Sequence, residues 1–294
     1  MRLRAGAARL LVAMALLAGG CASTMLTTQY PVLSVERTAL LVSEISETSG
    51  LAAQGSQLWT HNDSGDRPRL YKISPEKGEV VQRRAVLDAL NFDWEELAQD
   101  RDYLHIFDCG NNAGLREWMQ VYSVRWDDLA TDTEEAVPSR LTEFRFADAQ
   151  PSAGVHEHNN DCEAATAVGD ELWVFSKNWQ DQQTRLYRLS ADGERHALVS
   201  QAAYPVGGLI TAADYDPDRQ RLVLLGYTRN RFSSSAFIWL IPVVQNAPDW
   251  SNARRHPLSP AGQWEAVLWR PDGLVLTRES SLLGQSWLGF IPLP

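Results

Sequence analysis

Five residues with oxygen-bearing side chains open five similar segments of this sequence, and their types suggest a hard metal ion. In four of the five segments, a Leu follows this residue nine positions later. Three carboxylates brought to one point without a cation would repel, and at least one would have to take up a proton. Ca²⁺ accepts carboxylate, hydroxyl and carbonyl oxygens in a flexible geometry, whereas softer metals favour thiolate or imidazole ligands. The predicted Ca²⁺ ligands are Ser49, Glu95, Glu163, Thr211 and Glu265.

The elements that must position these residues are short β-strands. Runs rich in Val, Leu, Trp and Tyr are separated by Gly, Asp, Asn and Pro, which is typical of strands and turns. The five candidate ligands are 46, 68, 48 and 54 residues apart, and a further strand follows each segment. One four-stranded antiparallel unit per repeat of this length is typical of a β-propeller. The sequence therefore predicts an all-β, five-bladed β-propeller over residues 34–294, with a sixth, degenerate blade or an irregular sandwich as the alternatives.

The last repeat ends after its third strand, so its blade needs a strand from elsewhere. The segment "SVERTALLVSE", residues 34–44, is predicted to supply it and to close the ring. Such a closure would hide two sheet edges at once. Because the first strand of each blade lines the central channel, the five candidate ligands should face a common volume at one end. The alternative is that the glutamates accept backbone N–H bonds between blades without any metal.

Several motifs give the chain a family resemblance. The order Ser, Glu, Glu, Thr, Glu and the segments "SGLAAQGSQLW" and "WEELA" resemble the calcium-activated nucleotidases (apyrases), in which Ser stands at the position of Thr211. The resemblance implies a five-bladed propeller with one axial Ca²⁺ held by one residue per blade. The Asp-Asp-Arg-Thr-Gly stretch of that family is met only in part by "HNDSG", where Asn62 replaces the first aspartate. The combination of "HNDSG", "DWEELA" and "DCGNN" is more similar to uncharacterised bacterial envelope propellers, some labelled esterase-like or phytase-like.

The loops after each second strand should surround the candidate metal site. Asp63 and Asp108 end second strands beside the axis, and we expect them to act as bases in a Ca²⁺-dependent phosphoester or ester hydrolase. Arginine and lysine side chains in the same loops suit phosphate or carboxylate oxygens. The predicted ligand-binding residues are Asn62, Arg67, Asn111, Asn112, Arg116, Lys177, Arg229 and Arg278. The alternatives are a rim of ordinary solvated turn charges and a non-catalytic propeller that binds a protein or a glycan.

The first twenty residues resemble a secretory leader rather than part of the fold. They combine three arginines with an apolar run that is short for a membrane span. Because "LAGGC" ends in cysteine, the leader resembles a bacterial lipoprotein signal, cleaved before Cys21 with lipid added to the Cys21 thiol. Ordinary cleavage at a nearby small residue is the alternative. Residues 21–33 would then be a tether, and Ala22 after the cysteine favours the outer membrane, facing the periplasm.

The charge of the chain limits its partners. Loss of the leader changes the net charge from −10 to −13, and the chain contains only three lysines. The absence of a basic stripe argues against nucleic acid as a partner. The expected partners are the membrane, through the lipid anchor, and either an anionic small molecule or an envelope protein or glycan.

Two features of the sequence leave alternatives open. Cys109 and Cys162 lie beside the acidic stretches of neighbouring repeats, where they would form a disulfide or stay as two separate buried thiols. His156 and His158 are two positions apart and Asp161 follows, an arrangement that would suit either a transition-metal site or a polar loop.

Overall fold

The computed structural model describes residues 30–131, 133, 135–230, 233–281 and 284–293. The predicted leader, the lipidation residue Cys21 and the first part of the tether lie outside the described residues. Within the described ranges, no helix has the length and the apolar character that a membrane span needs.

The strands of the first two blades follow two short N-terminal strands, β1 (Leu33–Ser34) and β2 (Glu36–Leu40). Blade one consists of β3 (Thr48–Gln54), β4 (Gln57–Asn62), β5 (Arg69–Ile73) and β6 (Val80–Ala85). Blade two consists of β7 (Trp94–Gln99), β8 (Tyr103–Asp108), β9 (Met119–Arg125) and β10 (Arg140–Phe146), with helix α1 (Trp126–Leu129) after β9.

The remaining blades repeat the same antiparallel order. Blade three consists of β11 (Asp161–Val168), β12 (Glu171–Lys177), β13 (Thr184–Leu189) and β15 (Ala202–Tyr204), while β14 (Arg195–Leu198) adds to the outer edge of blade two. Blade four contains β16 (Leu209–Asp216), β17 (Arg221–Asn230), β18 (Ser233–Val244) and β20 (Arg254–Ser259), with β19 (Ala247–Pro248) and the 3₁₀ helix η1 (Trp250–Asn252) before β20. Blade five contains β21 (Trp264–Arg270), β22 (Gly273–Arg278) and β23 (Trp287–Pro292).

The five inner strands form a closed ring. β3 contacts β7, β7 contacts β11, β11 contacts β16, β16 contacts β21, and β21 returns to β3. Five hydrophobic clusters fill the spaces between adjacent blades. Trp59, Trp94, Trp173 and Trp264 are fully buried in these layers, where large aromatic side chains contribute most to packing. The predicted five-bladed β-propeller is confirmed.

The N-terminal segment closes the ring as predicted. β2 pairs antiparallel with β23 and so becomes the fourth strand of blade five. β1 pairs parallel with β20 of blade four, so the same segment joins two blades. The Thr38 hydroxyl also donates to the carbonyl of Leu288 at 3.2 Å, across a sequence separation of 250 residues.

A disulfide joins blades two and three. Cys109 follows β8 and Cys162 lies at the start of β11, with their Cα atoms 5.4 Å apart. Both residues are fully buried. Of the two alternatives for these cysteines, the structure has the bridge.

Candidate functional site

Each inner strand breaks its hydrogen-bond register once, near the end where the strand begins. The residues left out of the pairing are Gly50, Glu95, Glu163, Thr211 and Glu265. A bulge of this kind turns a side chain out of the regular ladder. Four of the five predicted ligands are therefore bulge residues, and Ser49 lies directly before the fifth bulge. Inner strands begin and second strands end at the same end of the channel, which we call the top face.

The two hydroxyl residues of this set connect neighbouring inner strands. The Ser49 Oγ donates to the backbone carbonyl of Glu95 at 2.5 Å. The Thr211 Oγ1 donates to the backbone carbonyl of Trp264 at 2.9 Å. Both hydroxyls therefore stabilise contacts between adjacent blades, and their role as metal ligands stays a prediction.

Three carboxylates converge at the top face. Ligand atoms of Asp63, Asp93 and Glu95 lie within 4.8 Å of one another. Asp63 follows β4 in blade one, whereas Asp93 and Glu95 lie two residues apart at the start of β7, so two blades build the group. We call these three residues the carboxylate triad. Glu95 belongs to the predicted set, but Asp93 was not among the predicted site residues, although residues two positions apart in a regular strand would share one face.

Gly110 lies directly against the carboxylate triad. A β-carbon at this position would come within 2.2 Å of Glu95 Oε1 and 2.3 Å of Asp93 Oδ2. The backbone N–H groups of Cys109 and Gly110 both donate to the Asp93 carbonyl at 3.1 Å. The absence of a side chain at Gly110 therefore leaves the carboxylates room to converge.

The pKa values of all three carboxyl groups of the triad are raised. Burial raises the pKa of Asp93 to about 7, and the charges of Asp63 and Asp161 add to this effect. Burial and the nearby Glu163 raise the pKa of Glu95 well above its ordinary value. Burial likewise raises the pKa of Asp63. Without a counter-charge, such a group retains protons near neutral pH, and a divalent cation would release them.

Two further glutamates of blade five share this environment. Burial raises the pKa of Glu265 to about 8, with Glu279 as the next contribution. Burial also raises the pKa of Glu279 to about 8, with Asp63 as the next contribution. The acidic group therefore extends from the triad to Glu265, the bulge residue of blade five, and to Glu279 in the loop after β22.

Lys177, a predicted ligand-binding residue, lies among these acids. It ends β12 and is only 6% exposed, and its Nζ lies 2.7 Å from Glu163 Oε1. Burial alone would lower the pKa of Lys177, but the surrounding carboxylates, Glu163 foremost, raise it well above its ordinary value. The side chain is therefore a charged ammonium paired with a bulge residue.

Glu96 uses its carboxylate in a different way. It is fully buried, and its two oxygens accept the backbone N–H groups of Leu97 at 2.9 Å and Ala213 at 3.0 Å. These donors belong to blades two and four, so the side chain connects strands on separate sides of the channel. Glu96 is not one of the repeat glutamates, so for Glu95, Glu163 and Glu265 the choice between metal binding and backbone contacts stays open.

Asp108, one of the two predicted bases, is fully buried and accepts hydrogen bonds from the loop before β7. Its carboxylate accepts the N–H groups of Phe92 at 3.2 Å and Asp93 at 3.1 Å, and it lies 2.6 Å from Arg116 Nη1. Asp108 and Arg116 therefore hold the loop that carries Asp93. Asp63, the other predicted base, is only partly buried and belongs to the triad itself.

The three predicted asparagines organise the loops of the top face. The Asn62 Nδ2 donates to the Glu44 carbonyl at 2.8 Å and to Asp66 at 3.0 Å. The Asn111 side chain accepts the N–H of Arg116 at 2.9 Å. The Asn112 carbonyl accepts His158 Nε2 at 3.0 Å. Their part in binding a ligand stays a prediction.

The remaining predicted cations are Arg67, Arg278 and Arg229. Arg67 is exposed, and Arg278 lies against Gly262 with its guanidinium 6.0 Å from the ring centre of Trp287. The side chain of Arg229 lies outside the described residues.

His156, His158 and Asp161 do not assemble a compact metal site within the described part of the chain. Asp161 instead accepts the N–H of Asn111 at 2.7 Å and the indole N–H of Trp179 at 2.7 Å. His158 is buried and bonded to the loop of blade two. These contacts match the polar-loop alternative for this segment.

Comparisons with known proteins identify the fold alone. No protein-family model matches the sequence, and no curated protein matches it significantly. The structure is similar to that of a hypothetical protein from Leishmania major, with 12% sequence identity, a TM-score of 0.51 and coverage of 88% of this chain and 91% of the other. It is also similar to an exo-β-1,3-galactanase from Clostridium thermocellum, with 10% identity, a TM-score of 0.54 and coverage of 90% and 62%. The apyrase resemblance and the lipoprotein class stay predictions.

Proposed function

We propose that this propeller binds one hard divalent cation, Ca²⁺ in the first instance, at Asp63, Asp93 and Glu95. The proposal rests on the convergence of these carboxylates, whose ligand atoms lie within 4.8 Å of one another. An oxygen-only set suits Ca²⁺ better than zinc or copper. The close approach of Gly110 supports the same reading, because any side chain there would fill the space between Asp93 and Glu95.

We infer that the cation site serves the hydrolysis of a phosphoester or an ester. When bound, Ca²⁺ would offset the charge of an anionic substrate group and orient it. Asp63 remains the candidate base: one of its carboxylate oxygens would bind the metal, and the other would take the proton. The contacts of Asp108 with Arg116 and with the Asp93 backbone support a positioning role for that residue instead.

The proposed location is the bacterial cell envelope, through a lipid on Cys21. The residues that support this are the leader and its "LAGGC" end. Labelling of the expressed protein with radioactive palmitate, lost in Cys21→Ala, would support the anchor. Release of unlabelled wild-type protein into the soluble periplasm would contradict it.

A thermal melt and a calorimetric titration with Ca²⁺ test the cation site, on protein that starts at Ala22. At a Ca²⁺ concentration of about 100 times Kd, binding should stabilise the protein by about 2.7 kcal/mol. This corresponds to a rise in Tm of about 5–10 °C for a domain of this size. Asp93→Asn should lose the rise, and Asp170→Asn, the same change in an exposed turn at the opposite end of the channel, should keep it. No heat and no shift for the wild type would refute the site.

A non-catalytic scaffold is the second candidate function. It is favoured by the internal bonds of Asp108, Asn62, Asn111 and Arg116, which engage much of the predicted rim. Hydrolysis of p-nitrophenyl phosphate and p-nitrophenyl acetate separates the two candidates. Turnover that is lost in EGTA and in Asp93→Asn, but kept in Asp170→Asn, would support the hydrolase. Ca²⁺ binding without any turnover would support the scaffold.

A further inference from the structure

Lys177 is held in the interior of the top face rather than in solvent. Its Nζ lies 2.7 Å from Glu163 Oε1, 4.9 Å from the ring centre of Trp179 and 5.7 Å from that of Tyr227. Only 6% of the residue is exposed. A lysine in such a place is a fixed point charge, because its long side chain has little freedom left.

Lys177 is the cation that the axial acids share. Carboxylates from four blades interact electrostatically with its ammonium: Asp63, Glu95, Glu163, Glu265 and Glu279. Two other cations of this face are engaged with different acids. Arg116 pairs with Asp108, and Arg69 pairs with Asp66 and Glu44.

The β-bulge explains how Lys177 reaches this position. Lys177 pairs with Asp161 at the end of the β11–β12 ladder, and the register then shifts at Glu163. The bulge turns the Glu163 side chain out of the ladder, where its carboxylate meets the ammonium. The bulge residue Glu163 is therefore paired with a cation from its own blade.

The geometry points to Lys177 as a built-in second cation beside the metal of the carboxylate triad. In two-metal hydrolases, two cations about 4 Å apart clamp the oxygens of one substrate group. Here the triad would hold the metal, while the ammonium neutralises Glu163 and offers its remaining N–H donors to the same oxyanion. This inference rests on the proposed function, and it deepens that proposal by naming the ligand class as an oxyanion bound between one metal ion and one ammonium.

Removal of the Lys177 ammonium should create a second Ca²⁺-binding site. Lys177→Met leaves Glu163 unpaired beside Glu265, so Ca²⁺ should fill the vacated place. We expect the Ca²⁺ stoichiometry, measured by calorimetric titration, to rise from one per chain in the wild type to two in Lys177→Met. Lys72→Met makes the same chemical change on blade one, beside Trp59, and should keep the wild-type stoichiometry.

A double variant controls for a change in folding. Lys177→Met combined with Glu163→Gln removes the pair as a neutral unit, so it should fold and bind one Ca²⁺. A second Ca²⁺ in the double variant would overturn the proposal, because the extra ion would then lie elsewhere. Wild-type stoichiometry in Lys177→Met, or failure of that variant to fold at any Ca²⁺ concentration, would overturn it as well.

The titration also distinguishes this inference from the proposed function. A wild-type protein that binds no Ca²⁺ would refute the triad as a metal site. The inference about Lys177 depends instead on the difference between wild type and variant. A gain of one Ca²⁺ in Lys177→Met over a wild-type value of zero would locate an ion at the vacated position, but it would overturn the paired site, because the triad would then hold no metal beside the ammonium.

Discussion

Gly110 lies so close to Glu95 that a β-carbon on the glycine would come within 2.2 Å of the glutamate Oε1. The loop after β8 therefore fits against the carboxylate triad only because this position has no side chain. The neighbouring disulfide and the Asp108–Arg116 pair hold the same loop, which makes the site sensitive to changes that do not touch a ligand.

Gly110→Ala should abolish or strongly weaken the Ca²⁺-dependent rise in Tm. The added methyl group would push Glu95 and Asp93 apart, and overpacking of this kind costs about 1–3 kcal/mol. The matched control is Gly154→Ala, whose added carbon would lie 3.5 Å from its nearest neighbour and thus in ordinary contact. A wild-type response to Ca²⁺ in Gly110→Ala would show that the loop moves freely and that the fit is not needed.

Arg116→Ala should destabilise the protein by about 3–5 kcal/mol, because it leaves the buried Asp108 carboxylate without its ion pair. Urea unfolding followed by tryptophan fluorescence measures the loss. Arg125→Ala removes an exposed pair with Asp127 and should cost much less, because solvent screens that pair. Equal losses in the two variants would mean that solvent reaches Asp108.

Loss of the disulfide should also lower stability. The bridge closes a loop with a sequence separation of 53 residues, and the chain-entropy model gives about 4 kcal/mol for such a loop. Cys109→Ser with Cys162→Ser should therefore unfold at lower urea concentration. Wild-type protein treated with dithiothreitol under partly denaturing conditions should behave in the same way. A double variant as stable as the oxidised protein would contradict the bridge.

Asp214 should make stability depend on pH. Burial raises the pKa of its carboxyl from 3.8 to about 7, although the Trp269 N–H donates to it at 2.7 Å. Between about pH 4 and 7, the folded state binds this proton and the unfolded state has released it, so stability falls as pH rises and levels off above pH 7. Because part of the side chain is exposed, the change should be about 1–3 kcal/mol.

Asp214→Asn removes this titration. The stability difference, wild type minus variant, should be largest below pH 4 and should decline towards pH 7, as measured by urea unfolding at each pH. A difference that does not change with pH would mean that the carboxyl titrates normally in the folded protein.

The fold was predictable because it repeats. The nine-residue spacing from Glu95 to Leu104, and from Glu163 to Leu172, marks the inner and second strands of each blade, and "SVERTALLVSE" stood out as a strand without a partner. The bulges also leave a trace, since four of the five aligned polar residues occupy them.

The site was predictable only in part, because it depends on contacts between blades. Asp63 and Asp93 are 30 residues apart and meet because blade one ends a second strand where blade two begins its first. The ion pair between Arg116 and Asp108 could not be predicted from the sequence either, since it forms only because the loop between them turns back on itself. Spacing showed which residues reach the top face, but not which of them would already be paired there.

The pairing of β2 with β23 has a consequence for biosynthesis. The ribosome makes Thr38 some 250 residues before its partner Leu288, so the last blade cannot be completed until Leu288 has been synthesised. Until then, the N-terminal strand is an unpaired edge of the kind that templates aggregation. The charged side chains of Glu36 and Arg37 on this strand oppose edge-to-edge pairing with other chains before β23 is made. A product truncated before Trp287 would keep this edge open, because β2 would have no β23 with which to pair.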